Sequence, residues 1–316
     1  MADKASSSDN TVIGPDFDPI EPPLISDDDL SDQQLTEASA GSSVSGDQSV
    51  LDQNDHDLIN NTRQGSIAAA EELWQRHSVF GLVVAGAETD PEQAEAVNDQ
   101  AWANIISGLA TGQTPPAAFR PYLYNQVHSS AITLTDTDAA PNTPSARMAA
   151  ALESLPTRWQ EVLWYLDVEQ MTVDDVALLT GMSTTAIPEV RSRARRGLKD
   201  AWLKVNADAA TQDSNCQWAR EHARAWLNKT LPPHDSEVMT AHLKTCHACR
   251  NIIGTATHMA SSVRPLLLAG VCSAAGGLAL QEYLDANGAV VINESALPPV
   301  ALAAFSAERA GQASNL

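Results

Sequence analysis

The stretch Thr172–Gly197, TVDDVALLTGMSTTAIPEVRSRARRG, has the pattern of two helices joined by a tight turn. Its opening threonine is followed three residues later by Asp175, which predicts an N-cap with the first helix beginning at Val173. Gly181 ends that helix because glycine adopts positive φ without steric cost, and Ser183 predicts the cap of the second. The spacing indicates a helix-turn-helix. Its core-facing residues are Val176, Ala177, Leu179, Ile187, Val190 and Ala194.

The outer face of the second helix is polar and basic. It carries Thr184, Thr185, Arg191, Arg193, Arg195, Arg196 and Lys199. A chain with a formal net charge of −21 repels nucleic acid over most of its surface, so any contact with DNA must be local. We predict that the two threonines approach base edges, while the four arginines contact phosphates or stabilise the helix end. The pattern alone also fits a small helical bundle that binds nothing.

The residues around this stretch resemble the promoter-binding C-terminal domain of extracytoplasmic-function sigma factors of bacterial RNA polymerase. The resemblance rests on Leu155-Pro156 followed by Trp159, on the helix-turn, and on Arg193-Ala194-Arg195. It implies a helical domain over 146–205 that places its second helix on promoter DNA while the chain binds core RNA polymerase. Pro188 departs from this pattern, because proline removes a backbone donor and crowds the carbonyl four residues earlier.

The segment 54–135 also has helical periodicity, with Gly65 as a break and Pro91 opening a further helix. This segment resembles the N-terminal domain of the same sigma factors through its run Phe119-Arg120-Pro121-Tyr122-Leu123. In that family, the N-terminal domain binds polymerase and melts the promoter. From His128 to Asp136 the chain has no Arg or Lys, although single-stranded DNA is held by cationic and aromatic groups. We therefore expect the lack of these groups to impair promoter melting more than polymerase binding.

A second cluster of chemically active residues is His242, Cys246 and Cys249. Positions i, i+4 and i+7 of one helix share a face, so we predict that the imidazole and both sulfurs converge. Structural Zn²⁺ takes four such ligands in a tetrahedron. Cys216 is the best candidate for the fourth ligand. Its rivals are His222, His234 and His247.

The run AHLKTCHACR at 241–250 resembles the zinc-binding anti-sigma domain, which some actinobacterial sigma factors carry fused at their C-terminus. The resemblance implies a unit over 215–264 that holds one structural zinc and contacts the sigma-like domains. A closed four-ligand site differs from a catalytic zinc, which keeps an open position. An enzyme is therefore the weak alternative. A zinc-thiol redox sensor is compatible both with a sigma-like initiation factor and with a regulator that acts through protein contacts alone.

The remaining segments have weaker patterns. Residues 1–53 are rich in Asp, Ser and Pro and predict a disordered acidic tail, and 136–145 reads as a linker. The segment 265–284 predicts an apolar helix whose uncharged part is shorter than the roughly 20 residues of a membrane span. We expect 285–316 to be a mobile tail. Four cysteines and the absence of a secretory signal favour a reducing cytoplasm.

Together these patterns predict an all-α protein with two small sigma-like helical domains, the second a helix-turn-helix, and a zinc-binding helical domain. The expected function is transcription initiation with core RNA polymerase and promoter DNA, gated by the C-terminal unit. The alternative is a regulator that acts through protein contacts without melting the promoter. The basic cluster at Arg191–Arg196 favours transcription initiation on promoter DNA. The segment His128–Asp136, which has no Arg or Lys, favours the regulator that acts through protein contacts.

Overall fold

The computed structural model describes residues 53–115, 118–135, 143–209, 211–288 and 296–313, and every regular element within them is helical. This confirms the all-α prediction. Most of the predicted acidic tail and of the linker lies outside the described residues. The helices of the first half are α1 (Asp55–Arg63), α2 (Ile67–Glu88), α3 (Pro91–Ala110), α4 (Phe119–Thr135), α5 (Pro144–Glu153) and α6 (Thr157–Leu163), which runs into a π-helical turn (Trp164–Val168).

The second half continues with the predicted helix pair and a series of shorter helices. They are α7 (Val173–Thr180), α8 (Ile187–Asp208), α9 (Ser214–Glu221), α10 (Ala223–Leu227), α11 (Pro233–Thr245), α12 (His247–His258), a 3₁₀ turn (Met259–Ser261), α13 (Val263–Val271), α14 (Ala274–Asn287) and α15 (Pro299–Ala313). All described residues belong to one compact unit. The connection between α8 and the zinc unit is short, because α8 continues to Asp208 and α9 begins at Ser214.

The first helix of the predicted helix-turn-helix begins as its cap predicts. The Thr172 hydroxyl accepts from the Asp175 backbone N–H at 3.2 Å, and α7 starts at Val173 and ends at Gly181, whose φ is 69°. The second helix starts later than expected, at Ile187, after a turn that Ser183 closes by accepting from the Ala186 N–H at 3.3 Å.

This later start accommodates Pro188 and moves the two threonines off the helix. The proline lies in the first turn of α8, where its missing N–H would have no intrahelical partner in any case, so it does not break the helix. Thr184 and Thr185 lie in the preceding turn. The inner face of the helix is buried as predicted, with Ile187, Val190 and Ala194 in the core.

A buried polar network joins the first helices to the π-helical turn. Arg120 on α4 pairs with Glu169, whose other oxygen accepts from Trp164 Nε1 at 2.6 Å. Arg120 Nε also donates to His77 Nδ1 at 3.0 Å, and His77 Nε2 lies 2.9 Å from a carboxylate oxygen of Asp55. Since Nδ1 accepts, Nε2 carries the proton and donates to Asp55. Burial lowers the pKa of His77, which favours this neutral ring.

The C-terminal segment differs from its sequence prediction. The apolar stretch forms two helices, α13 and α14, because the chain is extended at Cys272 and Ser273 caps a new helix. The segment predicted as a mobile tail contains α15, which packs on α3 and accepts a 2.8 Å hydrogen bond from the Ser107 hydroxyl through Glu308. Among the described residues, no helix is both long and apolar enough to cross a membrane.

Candidate zinc centre and nucleic-acid interface

Three short helices bring the predicted metal ligands together. Cys216 lies in the first turn of α9, where the Asp213 side chain accepts from its backbone N–H at 3.3 Å. His242 lies in the last turn of α11, whereas Cys246 occupies the break before α12 and Cys249 lies in the first turn of that helix. The sequence predicted one continuous helix for the last three ligands. The structure corrects this, because the backbone is extended at Cys246 (φ −92°, ψ 104°).

The ligand atoms have the spacing that a tetrahedral zinc site requires. One ligand atom from each of Cys216, His242, Cys246 and Cys249 lies within 4.8 Å of the other three. The sulfurs of Cys216 and Cys246 are 3.6 Å apart, close to the about 3.8 Å expected when two thiolates each bind zinc at about 2.3 Å. His242 Nε2 is buried and has no hydrogen-bond partner among the described residues. Three thiols and one imidazole form a Zn²⁺ donor set, so the residues fit this metal.

The thiols differ in how easily they lose a proton. Burial and hydrogen bonds that Cys216 donates to the other two thiols raise its pKa to about 12. Burial also acts to raise the pKa of Cys246, but hydrogen bonds, including those from the backbone N–H groups of Cys249 and Ala248, bring it below its ordinary value. The start of α12 therefore stabilises a thiolate, and binding of Zn²⁺ would deprotonate the remaining cysteines.

The other candidates for the fourth ligand lie elsewhere. His222 Nδ1 is 2.8 Å from the carbonyl oxygen of Trp218, and its ring stacks on that indole at 4.6 Å. His247 lies against the guanidinium of Arg250. His234 is not part of the converging group either. Cys216 therefore completes the set.

The zinc unit packs against the second half of α8. The buried indole of Trp202 donates to the Ile252 carbonyl at 2.9 Å. Arg224 Nε donates to Asp200 at 2.9 Å, and the Gln217 side chain donates to the Ala207 carbonyl at 3.1 Å. Helix α8 therefore follows the turn after α7 with its first half and packs against the zinc unit with its second half.

The predicted basic face of α8 divides into two parts. Arg191 and Arg195 each direct Nε and Nη2 toward Asp167, whose side chain is buried, and the Nε–oxygen distances are 2.9 and 3.1 Å. Arg193 pairs with exposed Glu189 at 2.5 Å, and Arg196 is exposed. All four side chains reach solvent. The exposed fraction is 38 % for Arg191, 35 % for Arg193 and 32 % for Arg195, so the two parts of this face differ in their ion-pair partner and not in their exposure.

Asp167 is the interacting residue that the sequence did not reveal. It lies in the π-helical turn, 24 residues before Arg191, and belongs to no recognisable pattern. Only the folded structure reveals this contact, because the π-helical turn places the Asp167 carboxylate beside one flank of α8.

Comparison with known proteins supports the zinc unit. Residues 216–250 match the family model described as "Putative zinc-finger", a span that begins at Cys216 and includes all four ligands. No curated protein and no solved structure significantly matches the chain. The C-terminal part of this protein is therefore similar to a zinc finger whose type suggests an anti-sigma-like regulatory domain.

Proposed function

We propose that this protein is a sigma-factor-like regulator of transcription initiation, which binds core RNA polymerase and promoter DNA and is restrained by its zinc unit. The observation that carries the proposal is the shared helix α8. Its first half follows the turn of a helix-turn-helix, and its second half contacts the zinc unit through Trp202 and Asp200. A change in the zinc unit therefore acts directly on the helix that would lie on DNA.

We assign the phosphate contacts to the two arginines that Asp167 does not bind. Arg193 and Arg196 would contact the DNA backbone, whereas Arg191 and Arg195 are held by Asp167. Thr184 and Thr185, in the turn before α8, would approach base edges at the entrance to the major groove.

Replacing the two arginines that Asp167 does not bind, Arg193→Gln with Arg196→Gln, should weaken binding to all promoter fragments alike. Because each lost phosphate contact reduces the slope of log K against log salt by about 0.9, the slope should fall by about 1.8. Fluorescence anisotropy with labelled duplexes at several salt concentrations measures both quantities. Lys204→Gln, an exposed charge near the other end of α8, is the control and should leave the slope unchanged. Equal affinities of the double variant and the unmodified chain would reject the DNA contact.

A hydrogen-bonded latch supports the restraining role of the C-terminal elements. Glu88, at the end of α2, accepts from the Tyr124 hydroxyl at 2.7 Å and from the Ser273 hydroxyl, which also caps α14. His128 Nδ1 lies 3.1 Å from its other oxygen. Burial acts to raise the pKa of Glu88, but these hydrogen bonds lower it below the ordinary value, so the carboxylate is ionised. The latch ties α14 to the two helices that resemble the polymerase-binding domain.

Opening this latch should release the sigma-like helices. Ser273→Ala removes both the hydrogen bond to Glu88 and the cap of α14, so we expect core polymerase to bind the variant at least about fivefold more tightly, the lower end of typical coupling between sites. Ser306→Ala is the matched control, since that hydroxyl donates only to the Leu302 carbonyl of its own helix. Weaker polymerase binding by Ser273→Ala would show that α14 supports binding instead of restraining it.

A regulator that acts through protein contacts alone is the second candidate. Two observations favour it. The sequence His128–Asp136 contains no Arg or Lys, and two of the four clustered arginines are engaged by Asp167. Such a protein would bind polymerase without any measurable affinity for promoter fragments.

A further inference from the structure

An open cleft of about 520 Å³ lies between the helix-turn-helix and the segment that follows the zinc unit. Its volume falls within the roughly 300–1,000 Å³ of small-molecule sites. Its lining includes residues of the π-helical turn, the start of α7, one flank of α8 and the start of α13. No part of the zinc centre lines it, so it is a separate site.

The charge of this cleft is opposite to that of the chain. Its charged lining residues are Arg191, Arg195, Arg264 and Asp167, which gives the cleft a local charge of +2 in a protein of net charge −21. Three arginines that line one concave cleft attract anions more strongly than a single surface arginine does, because their fields add.

Each arginine keeps donors for a ligand after its protein contacts are made. Arg191 and Arg195 use Nε and Nη2 on Asp167, which leaves Nη1 of each. Arg264 donates Nη1 to Asp285 at 2.7 Å, while its buried Nε has no hydrogen-bond partner among the described residues. Guanidinium N–H groups bind phosphate oxygens through charge-assisted hydrogen bonds, and Nη1 of Arg191 and of Arg195 remains for such a contact.

Two helices also begin at this cleft. Val173 opens α7 and Val263 opens α13, and both residues line the cleft. The start of α13 has no side-chain cap, so its first N–H groups are not satisfied by a neighbouring side chain. Helix starts carry partial positive charge and bind phosphate through such N–H groups, so the start of α13 adds to the effect of the arginines. The start of α7 adds less, because Thr172 caps it and its first turn carries Asp174 and Asp175.

We propose that this cleft binds a small phosphate-bearing molecule of up to nucleotide size, bridging the helix-turn-helix and the start of α13. Such a ligand would bind only when these elements are packed together. It would therefore stabilise the packed arrangement by mass action.

The test uses the zinc-loaded full chain and three probes: inorganic pyrophosphate, ATP and GTP. We expect at least one of them to bind with one site per chain by titration calorimetry and to raise the melting temperature. Arg264→Gln should weaken that binding about tenfold or more. This variant should remain folded, because its partner Asp285 is largely exposed. Arg264→Lys should restore part of the affinity, and Lys204→Gln, outside the cleft, should bind as the unmodified chain does.

Two outcomes would overturn the proposal. One is that none of the three probes binds. The other is that binding is equally strong in Arg264→Gln, which would place the phosphate elsewhere. A short DNA duplex is the comparison arm: if Arg264→Gln weakens only the duplex and no small probe binds, the cleft belongs to the DNA-binding surface and is not a small-molecule site.

Discussion

Removing zinc from the full chain is expected to unfold residues 214–250, which form α9 to α11 and the first turn of α12, while the rest of the core stays folded. Between 214 and 250, the buried apolar side chains other than the cysteine ligands are only Ala219, Ala223 and Met239. So small a core does not hold three short helices together, and the metal must supply the difference. Structural zinc contributes about 10–16 kcal/mol in small zinc-finger peptides, which sets the scale of the effect.

Metal analysis and hydrogen exchange measure this result. The purified chain should contain about one zinc, and chelation should remove the exchange protection of 214–250. Cys246→Ser with Cys249→Ser should abolish zinc binding. Cys272→Ala changes a buried cysteine outside the centre and should retain one zinc, as should His247→Ala. Full zinc content in the double serine variant would refute the ligand assignment.

The second large effect is expected from the buried network between the first helices and the π-helical turn. Arg120→Met leaves the carboxylate of Glu169 buried without its cationic partner and removes the donor to His77 Nδ1. Removing one partner of a buried ion pair costs about 3–5 kcal/mol, because the remaining charge stays desolvated. Urea denaturation should therefore show a markedly lower free energy of unfolding.

An exposed ion pair provides the comparison for this prediction. Arg193→Met breaks the i,i+4 pair with Glu189 on the surface of α8 and should change the unfolding free energy by no more than about 0.5 kcal/mol. If Arg120→Met were as stable as Arg193→Met, the network would not be what fastens the first helices to the π-helical turn. Glu169→Gln, which removes the charge and keeps the shape, separates electrostatic loss from packing loss.

Local signals in the sequence were sufficient for the bounds of α7 and for the zinc ligands. Thr172 and Gly181 act within a few residues of where they stand, and the ligand spacing is itself local apart from Cys216. The same pattern placed the start of α8 too early. Ser183 closes a turn instead of capping the helix directly, and the helix starts only at Ile187, with Pro188 in its first turn. The local sequence pattern therefore predicts the existence of a helix more accurately than the residue at which the helix begins.

Contacts between distant residues could not be predicted in this way. The network of Asp55, His77, Arg120 and Glu169 joins residues up to 114 positions apart, and each is unremarkable in its own segment. The same holds for Asp167, which binds Arg191 and Arg195 on one flank of α8. Docking of α15 on α3 was missed because its apolar residues become informative only when the partner surface is known.

Run-off transcription tests the central claim most directly. Purified core RNA polymerase is combined with the zinc-loaded full chain, or with Ser273→Ala, on genomic fragments, and transcripts are mapped to their start sites. The account predicts transcripts with defined starts that depend on the chain, increase with Ser273→Ala and decrease with Arg193→Gln and Arg196→Gln. Failure of both the full chain and Ser273→Ala to bind core polymerase or to direct any start would contradict it.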